Sequence, residues 1–298
     1  MNTAMPEPSS SATLKHSSDP RDLPDDKRID YVRADRWINY TAGQRAVSLL
    51  EDLLTYPTRD GMPCLLIYGA TGMGKTKIIS KFAKDHPSEY VKGMGLSHIP
   101  VLTMQMPSTP DDNEFYNELF LALGAPTIPE GPNRRVREAC RSLLKSCQTK
   151  MLIIDEIHCM LSGSPRAQRV FFNTLRFLAN DLRIPIVCAG TQEARVALQG
   201  DAQLAERFDA FELKPWRESE DFKSLIATIV KLLPLREPSN INTPEARKQI
   251  VKRTKGVTNR IFKLFEELAL EAMASGRECI TIEALTAGGL ALPTVGNQ

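Results

Sequence analysis

The sequence contains no C-x-x-C pair and no cysteine–histidine spacing that would hold zinc. Its six cysteines, Cys64, Cys140, Cys147, Cys159, Cys188 and Cys279, are scattered, three of them in or beside apolar runs. That distribution predicts free, mostly buried thiols and a reducing, cytoplasmic setting. No stretch approaches the roughly 18 continuous apolar residues of a membrane span, so no membrane partner is expected. The first residues are rich in proline and serine and lack an apolar h-region, so no secretory signal is expected either. Neither sign of charge dominates. With a net charge of +2, any nucleic-acid contact has to come from local patches. What remains is ordinary globular material, 42% hydrophobic and 25% charged, and 298 residues suffice for one large domain or two smaller ones.

The stretch that organises the chain is Gly69-Ala70-Thr71-Gly72-Met73-Gly74-Lys75-Thr76, which fits G-x-x-x-x-G-K-[ST] at every fixed position. Before it, Cys64 to Tyr68 reads as a buried strand. After it, Lys77 to Ala83 has helical apolar spacing. Strand, glycine-rich loop and helix are the context of a P-loop. Glycines let successive N–H groups turn inward around phosphate oxygens, and the helix start adds partial positive charge. Lys75 is placed to reach the β/γ-phosphates of ATP, and Thr76 to offer its hydroxyl to Mg²⁺.

Residues 1–28, with Pro6, Pro8, Pro20, Pro24 and Ser9 to Ser11 among mixed charges, predict a flexible tail. Tyr31, Trp37, Ile38 and Tyr40 then come close together ahead of a helix over 42–54. Ile38 and Tyr40 suit either an adenine pocket or a pin that fastens this segment to the sheet. Ile99 to Met106 reads as a second strand, followed by a helix over 114–123 and a proline-rich loop. The helix over 134–147 puts Val136, Cys140, Leu143 and Cys147 on one face. Arg134, Arg137, Arg141 and Lys145 fall opposite, as a phosphate-tracking stripe or a solvated face.

Met151-Leu152-Ile153-Ile154-Asp155-Glu156 is the second anchor, four apolar residues and then two acids at a strand's end. With one strand–helix unit between it and the P-loop, this is the Walker B pattern. Asp155 is placed to hold Mg²⁺, and Glu156 to polarise the attacking water. The adjacent Glu points to the ATPases that carry an extra catalytic glutamate, not to Ras-like GTPases. No partner has zinc-ligand spacing to His158. After a helix over 168–182, Ile184 to Thr191 is a further buried strand, expected between the two Walker strands. Its polar tip, Thr191, is placed to meet the γ-phosphate, to cap the next helix, or both. A short strand at 210–213 follows. From Ser219 onward only helices read, at 219–233, 244–254, 258–275 and 281–287.

The Walker pair, the sensor-like Thr191, Arg207-Phe208 and the helical end together resemble an AAA+ ATPase. The expected fold is therefore α/β, a P-loop NTPase with a five-stranded parallel sheet and a C-terminal all-helical lid. The expected division is a tail at 1–28, a core at 29–216, a lid at 217–290 and a short tail at 291–298. In that resemblance Arg207 is an arginine finger for a neighbour's nucleotide. Arg260, in Gly256-Val257-Thr258-Asn259-Arg260, stands at the sensor 2 position. The segments Arg36-Trp37-Ile38, Leu152 to His158, Gly190 to Ala194, Leu204 to Phe208 and Gly256 to Glu267 look more specifically like the TniB family, the ATPase subunits of Mu- and TnsC-like transposition systems. This resemblance implies ATP and Mg²⁺ as cofactors and duplex DNA bound largely without sequence preference. It also implies a homo-oligomer, as ring or helical filament, and transposase and TniQ-like targeting proteins as partners. DNA contact is implied for loops 105–112 and 124–135, hence for Ser108, Thr109, Thr127, Arg134 and Arg135. A replication initiator or helicase loader of the same superfamily is the alternative, although initiators usually carry a winged-helix domain after the lid. A nucleotide-gated scaffold with no DNA function is the other.

Overall fold

The computed structural model describes residues 19–91, 96–125 and 133–287. Its centre is a five-stranded sheet of β1 (Cys64–Tyr68), β4 (Val101–Gln105), β5 (Met151–Asp155), β6 (Ile186–Gly190) and β7 (Phe208–Glu212) in the order β4-β5-β6-β1-β7. Every pairing is parallel, with Leu65 opposite Val187 and Leu152 opposite Ile186. β6 thus lies between the two Walker strands, as expected. β1, β5 and β6 are continuous apolar runs because helices cover both faces of a parallel sheet. Alternate residues point to opposite sides. Leu66, Leu152, Ile154 and Cys188 pack with Phe115, Cys140, Phe171 and Leu175, from α4 (Asp112–Ala122), α5 (Asn133–Ser146) and α6 (Pro165–Leu182). Leu65, Ile67, Ile153 and Val187 pack with Leu50, Ile78 and Phe82, from α2 (Thr41–Leu54) and α3 (Lys75–Asp85).

Two small elements differ from the sequence reading. β2 (Glu89–Val91) and β3 (Leu96–His98) form an antiparallel hairpin apart from the main sheet, too short and polar to show a period. β7 begins at Phe208, not at 210, because its register with β1 pairs Phe208 with Cys64. Between β6 and β7, α7 (Gln192–Gln199) and α8 (Ala202–Ala205) are separate helices, the second capped by the Asp201 carboxylate on the N–H groups of Gln203 and Leu204.

The arginine face of α5 is largely committed within the fold. Arg141 makes a bidentate pair with Asp181. Arg137 lies 3.7 Å from Asp112 and over the rings of Tyr116 and Phe177. Arg134 pairs with Glu138 one turn along. The cysteines are free thiols, four of them buried, and burial pushes Cys140 up to about 12.

Beyond the sheet, α9 (Glu220–Leu232), α10 (Pro244–Thr254), α11 (Thr258–Ala274) and α12 (Ile282–Ala287) form the helical lid around Phe222, Ile226, Ile261, Phe265 and Leu268. Ser219 and Thr243 cap α9 and α10 with side-chain oxygens. The tail boundary expected at residue 28 does not match the structure. A 3₁₀ turn over Pro20–Asp22 precedes it and a helix, α1 (Asp25–Arg33), runs across it and packs on α11. The joint is Arg28, which is fully buried. It donates to the Pro234 carbonyl at 2.9 and 2.6 Å, to Asp25 at 2.9 Å and to Glu278 at 2.8 Å. The guanidinium holds Glu278 below its ordinary value of 4.5. An isolated arginine among prolines and mixed charges carries no sign in the sequence that it will be buried.

Removing one member of a buried ion pair leaves the other uncompensated, so Arg28→Ala should cost roughly 3–5 kcal/mol in urea unfolding. A carboxylate with a depressed folded value stabilises above its unfolded value, and that stabilisation is lost as pH falls. The Arg28→Ala deficit should therefore shrink as pH is lowered through and below 4.5.

Candidate nucleotide site

The P-loop joins β1 to α3 at the carboxyl edge of the sheet. Gly69, Gly72 and Gly74 have φ of 158°, 81° and 95°, conformations that side chains with a Cβ rarely adopt. Gly74 is the N-cap of α3, and no side chain bonds the N–H groups of that first turn. Those donors stay free for an anion. Lys75 is buried, and its Nζ donates to the carbonyls of Gly69 at 3.0 Å and Ala70 at 3.2 Å. Burial lowers its pKa, opposed by the nearby carboxylates of Glu156 and Asp155.

The acids come from the end of β5. Thr76 Oγ1 donates to Asp155 Oδ2 at 2.7 Å, and Asp155 Oδ1 accepts the Glu156 N–H at 2.8 Å. Glu156 leaves the strand in a left-handed conformation, φ 55° and ψ 36°. This turn brings its carboxylate round to the P-loop side; successive residues of an extended strand would point apart. Such a conformation costs a non-glycine residue about 1–3 kcal/mol and concentrates at functional sites. A hydroxyl and a carboxylate in contact beside a phosphate cradle are the hard oxygen donors that suit Mg²⁺. Thr191 occupies the N-cap position of α7, yet its side chain caps no N–H of that helix. Instead it bonds the Glu193 carboxyl, whose pKa is lowered chiefly by that bond.

A cavity of about 500 Å³ opens beside the loop. Thr71, Gly72, Gly74, Lys75, Thr76 and Glu156 form one end. Val32 to Ile38 with Tyr40, and Ile229, Leu233, Phe262 and Phe265 of the lid, form the other. Ile38 and Tyr40 therefore do line the cavity. Tyr40 also stacks edge-on against Trp216 at 5.5 Å, and burial pushes its hydroxyl up to about 12. Both residues thus wall the cavity, and they pack against the core of the lid and not against the sheet, where the sequence had placed the pin. The lid side was not legible as a wall, because Phe262 and Phe265 read simply as core positions of an amphipathic helix. The lid also touches the loop directly, the Asn259 N–H donating to the Gly72 carbonyl at 2.9 Å.

Other expected site residues lie elsewhere. Arg260 is not among the cavity's lining residues; its neighbour Asn259 is. Arg207 sits at the opposite end of the sheet, its carbonyl accepting from Cys64 N at 2.9 Å and its guanidinium donating to Asn180 at 2.6 Å. Among the described residues Arg207 forms no ion pair with the nearby acids; Asp201 caps α8 and pairs with Arg176. Thr109 bonds Glu114 at 2.7 Å, and the Ser108 carbonyl accepts from Ser162 at 2.6 Å, so the loop after β4 is tied to the segment after Walker B. Arg135 is exposed and forms no ion pair among the described residues, and Thr127 lies outside them.

A Cβ on Gly72 would lie 3.0 Å from Val257 and 3.3 Å from Asn259, in a backbone conformation unfavourable to L-residues. Gly72→Ala should therefore lose about 1–2 kcal/mol of stability and loosen the lid. Thermal unfolding with and without an ATP analogue should show a smaller ligand-induced rise in Tm than the unsubstituted protein.

Comparison with known proteins matches this geometry. The family model described as bacterial TniB protein matches residues 28–218. No curated protein matches the chain. Among solved structures, ORC2 of Aeropyrum pernix, in ADPNP and ADP complexes, is 18% identical with a TM-score of 0.61, over 86% of this chain and 69% of that one. Cdc6p from Pyrobaculum aerophilum is 15% identical, with a TM-score of 0.59, over 84% of this chain and 68% of that one. ORC1 of Aeropyrum pernix, in complex with DNA, is 14% identical, with a TM-score of 0.56, over 86% and 67%. At such identities the likeness carries the fold alone, a P-loop α/β core with a helical lid. With the family match spanning the sheet and the whole P-loop edge, the chain belongs to the TniB family.

Proposed function

We propose that this protein is an ATP-driven switch that assembles on duplex DNA and recruits a transposase. The observation that carries the reading is the convergence of Lys75, Thr76, Asp155 and Glu156 at the mouth of a nucleotide-sized, lid-closed cavity. The free N–H groups of α3 and the Lys75 ammonium take the β/γ-phosphates of ATP. Apolar side chains from the 32–40 segment and the lid enclose the base. Thr76 and Asp155 hold Mg²⁺, which when bound neutralises charge on the phosphates. Glu156 takes a proton from the attacking water. Thr191, at the tip of β6, faces the γ-phosphate.

Arg207 completes the site from another copy. It lies five strand residues from the P-loop edge, roughly 16 Å along β1, too far to serve its own nucleotide. At that lower edge its guanidinium is free to reach a neighbour's γ-phosphate, exchanging the single bond to Asn180 for a charged, two-point contact. Family membership supports the transposition role, and the DNA held by the ORC1 neighbour supports a DNA-bound assembly. Arg135, with Arg134 and the 105–112 loop, is the surface we assign to the phosphate backbone. An initiator or loader of the same fold is the competing reading, separated by binding to a replicative helicase.

Lys75→Ala should lose tight ATP binding, roughly a hundredfold or more by titration with a fluorescent analogue. Glu156→Gln should bind ATP normally and hydrolyse about 10²- to 10⁴-fold more slowly. Glu156→Gln should also persist on duplex DNA in excess ATP. Rapid release would refute the switch.

Arg207→Ala alone should bind ATP but turn over roughly 10³-fold more slowly or worse. Mixed with Lys75→Ala subunits, which still present Arg207, it should regain turnover. Near-normal ATPase from Arg207→Ala alone on DNA would remove the arginine finger.

A further inference from the structure

The proposed base has a side-chain partner that the sequence reading left without a role. His158 Nε2 lies 3.2 Å from Glu156 Oε2. At that distance an Nε2–H is placed to donate to the carboxylate oxygen, which can only accept from it. His158 Nδ1, on the other side of the ring, is buried and has no hydrogen-bond partner among the described residues. A buried ring nitrogen left unpaired costs stability, so packing alone does not account for the choice of histidine here.

The surroundings fix the ring in place. Ile157 and His158 open the 3₁₀ turn over Ile157–Ser162, which lies against the end of β6. A Cβ on Gly190 would come within 2.7 Å of Ile157 Cγ2 and 3.5 Å of His158 N, so the glycine is what lets this turn approach the sensor strand. Glu156 itself is long, rotatable and only one residue past the strand.

We propose that His158 is a positioning residue, holding the Glu156 carboxylate toward the γ-phosphate end of the P-loop. This rests on the reading of Glu156 as the general base. A base displaced by about an ångström can lose on the order of a hundredfold in rate while substrate binding is untouched. The imidazole N–H supplies direction, and the left-handed backbone of Glu156 supplies the approach.

The test is DNA-stimulated ATP hydrolysis, single-turnover and steady-state, by the full chain carrying His158→Ala, His158→Gln, Glu156→Gln and the double substitution His158→Ala with Glu156→Gln. His158→Ala should lower kcat by about ten- to a hundredfold with KM and nucleotide affinity nearly unchanged. His158→Gln, whose amide N–H reaches a similar point, should restore much of the loss. In the Glu156→Gln background His158→Ala should cause little further slowing, because the group it positions is gone. An unchanged or raised kcat in His158→Ala, a loss carried by KM, no recovery in His158→Gln, or full additivity with Glu156→Gln would each overturn the proposal. Normal nucleotide affinity reports a folded site, so a misfolded variant is recognised, and His158→Gln then carries the comparison. If Glu156→Gln itself turns over normally, the base assignment fails, whatever His158 does.

Discussion

An α-helix begins with backbone N–H groups that have no acceptor inside it. At α4, α6, α8, α9 and α10 this chain closes that deficit locally, with side-chain oxygens of Asp111, Ser164, Asp201, Ser219 and Thr243. At α3 it does not. The cap there is Gly74, which offers no side chain, and the carbonyls of Gly69 and Ala70 are turned to the Lys75 ammonium. The site is thus a region of unpaid donors and one buried cation, set beside two carboxylates. Only a polyanion with a counter-ion satisfies both sets at once.

The lid is bound to the same deficit from the other side. Helix α11 also lacks a side-chain cap, and its Asn259 N–H finds the Gly72 carbonyl of the P-loop. Loop and lid therefore complete each other's hydrogen bonding. The apolar wall of the cavity follows from that docking, since Phe262 and Phe265 lie on α11 beyond Asn259. Trp216, bonded to Thr258 and stacked against Tyr40, closes the hinge between sheet and lid.

Much of this was legible because it is periodic or local. The strands of the sheet are apolar runs, and the P-loop and the Asp155-Glu156 pair are contiguous motifs whose chemistry follows from their spacing. Ile38 and Tyr40 were visible as an aromatic–aliphatic cluster placed just before β1. What escaped has no local signature. The burial of Arg28 is decided by Pro234 and Glu278, more than two hundred residues away. Arg137 and Arg141 read as a free basic stripe because their partners, Asp112 and Asp181, come from other helices. His158 was set aside as lacking zinc partners, and only the left-handed turn at Glu156 brings the two side chains together.

The Arg28 joint has a bearing on biosynthesis. The segment that walls the cavity on one side, residues 32–40, leaves the ribosome well before the rest of that cavity's wall. Its anchor, Glu278, follows the Arg28 that it holds by 250 residues. The sheet can pair while the chain is still being made, since its five strands end at Glu212. The cavity beside the P-loop cannot, because its wall is held by contacts that close a loop of 250 residues. A nascent chain still lacking α11 and Glu278 presents the P-loop with no enclosed cavity beside it. An enclosed cavity beside the P-loop is thereby reserved for a chain synthesised past Glu278.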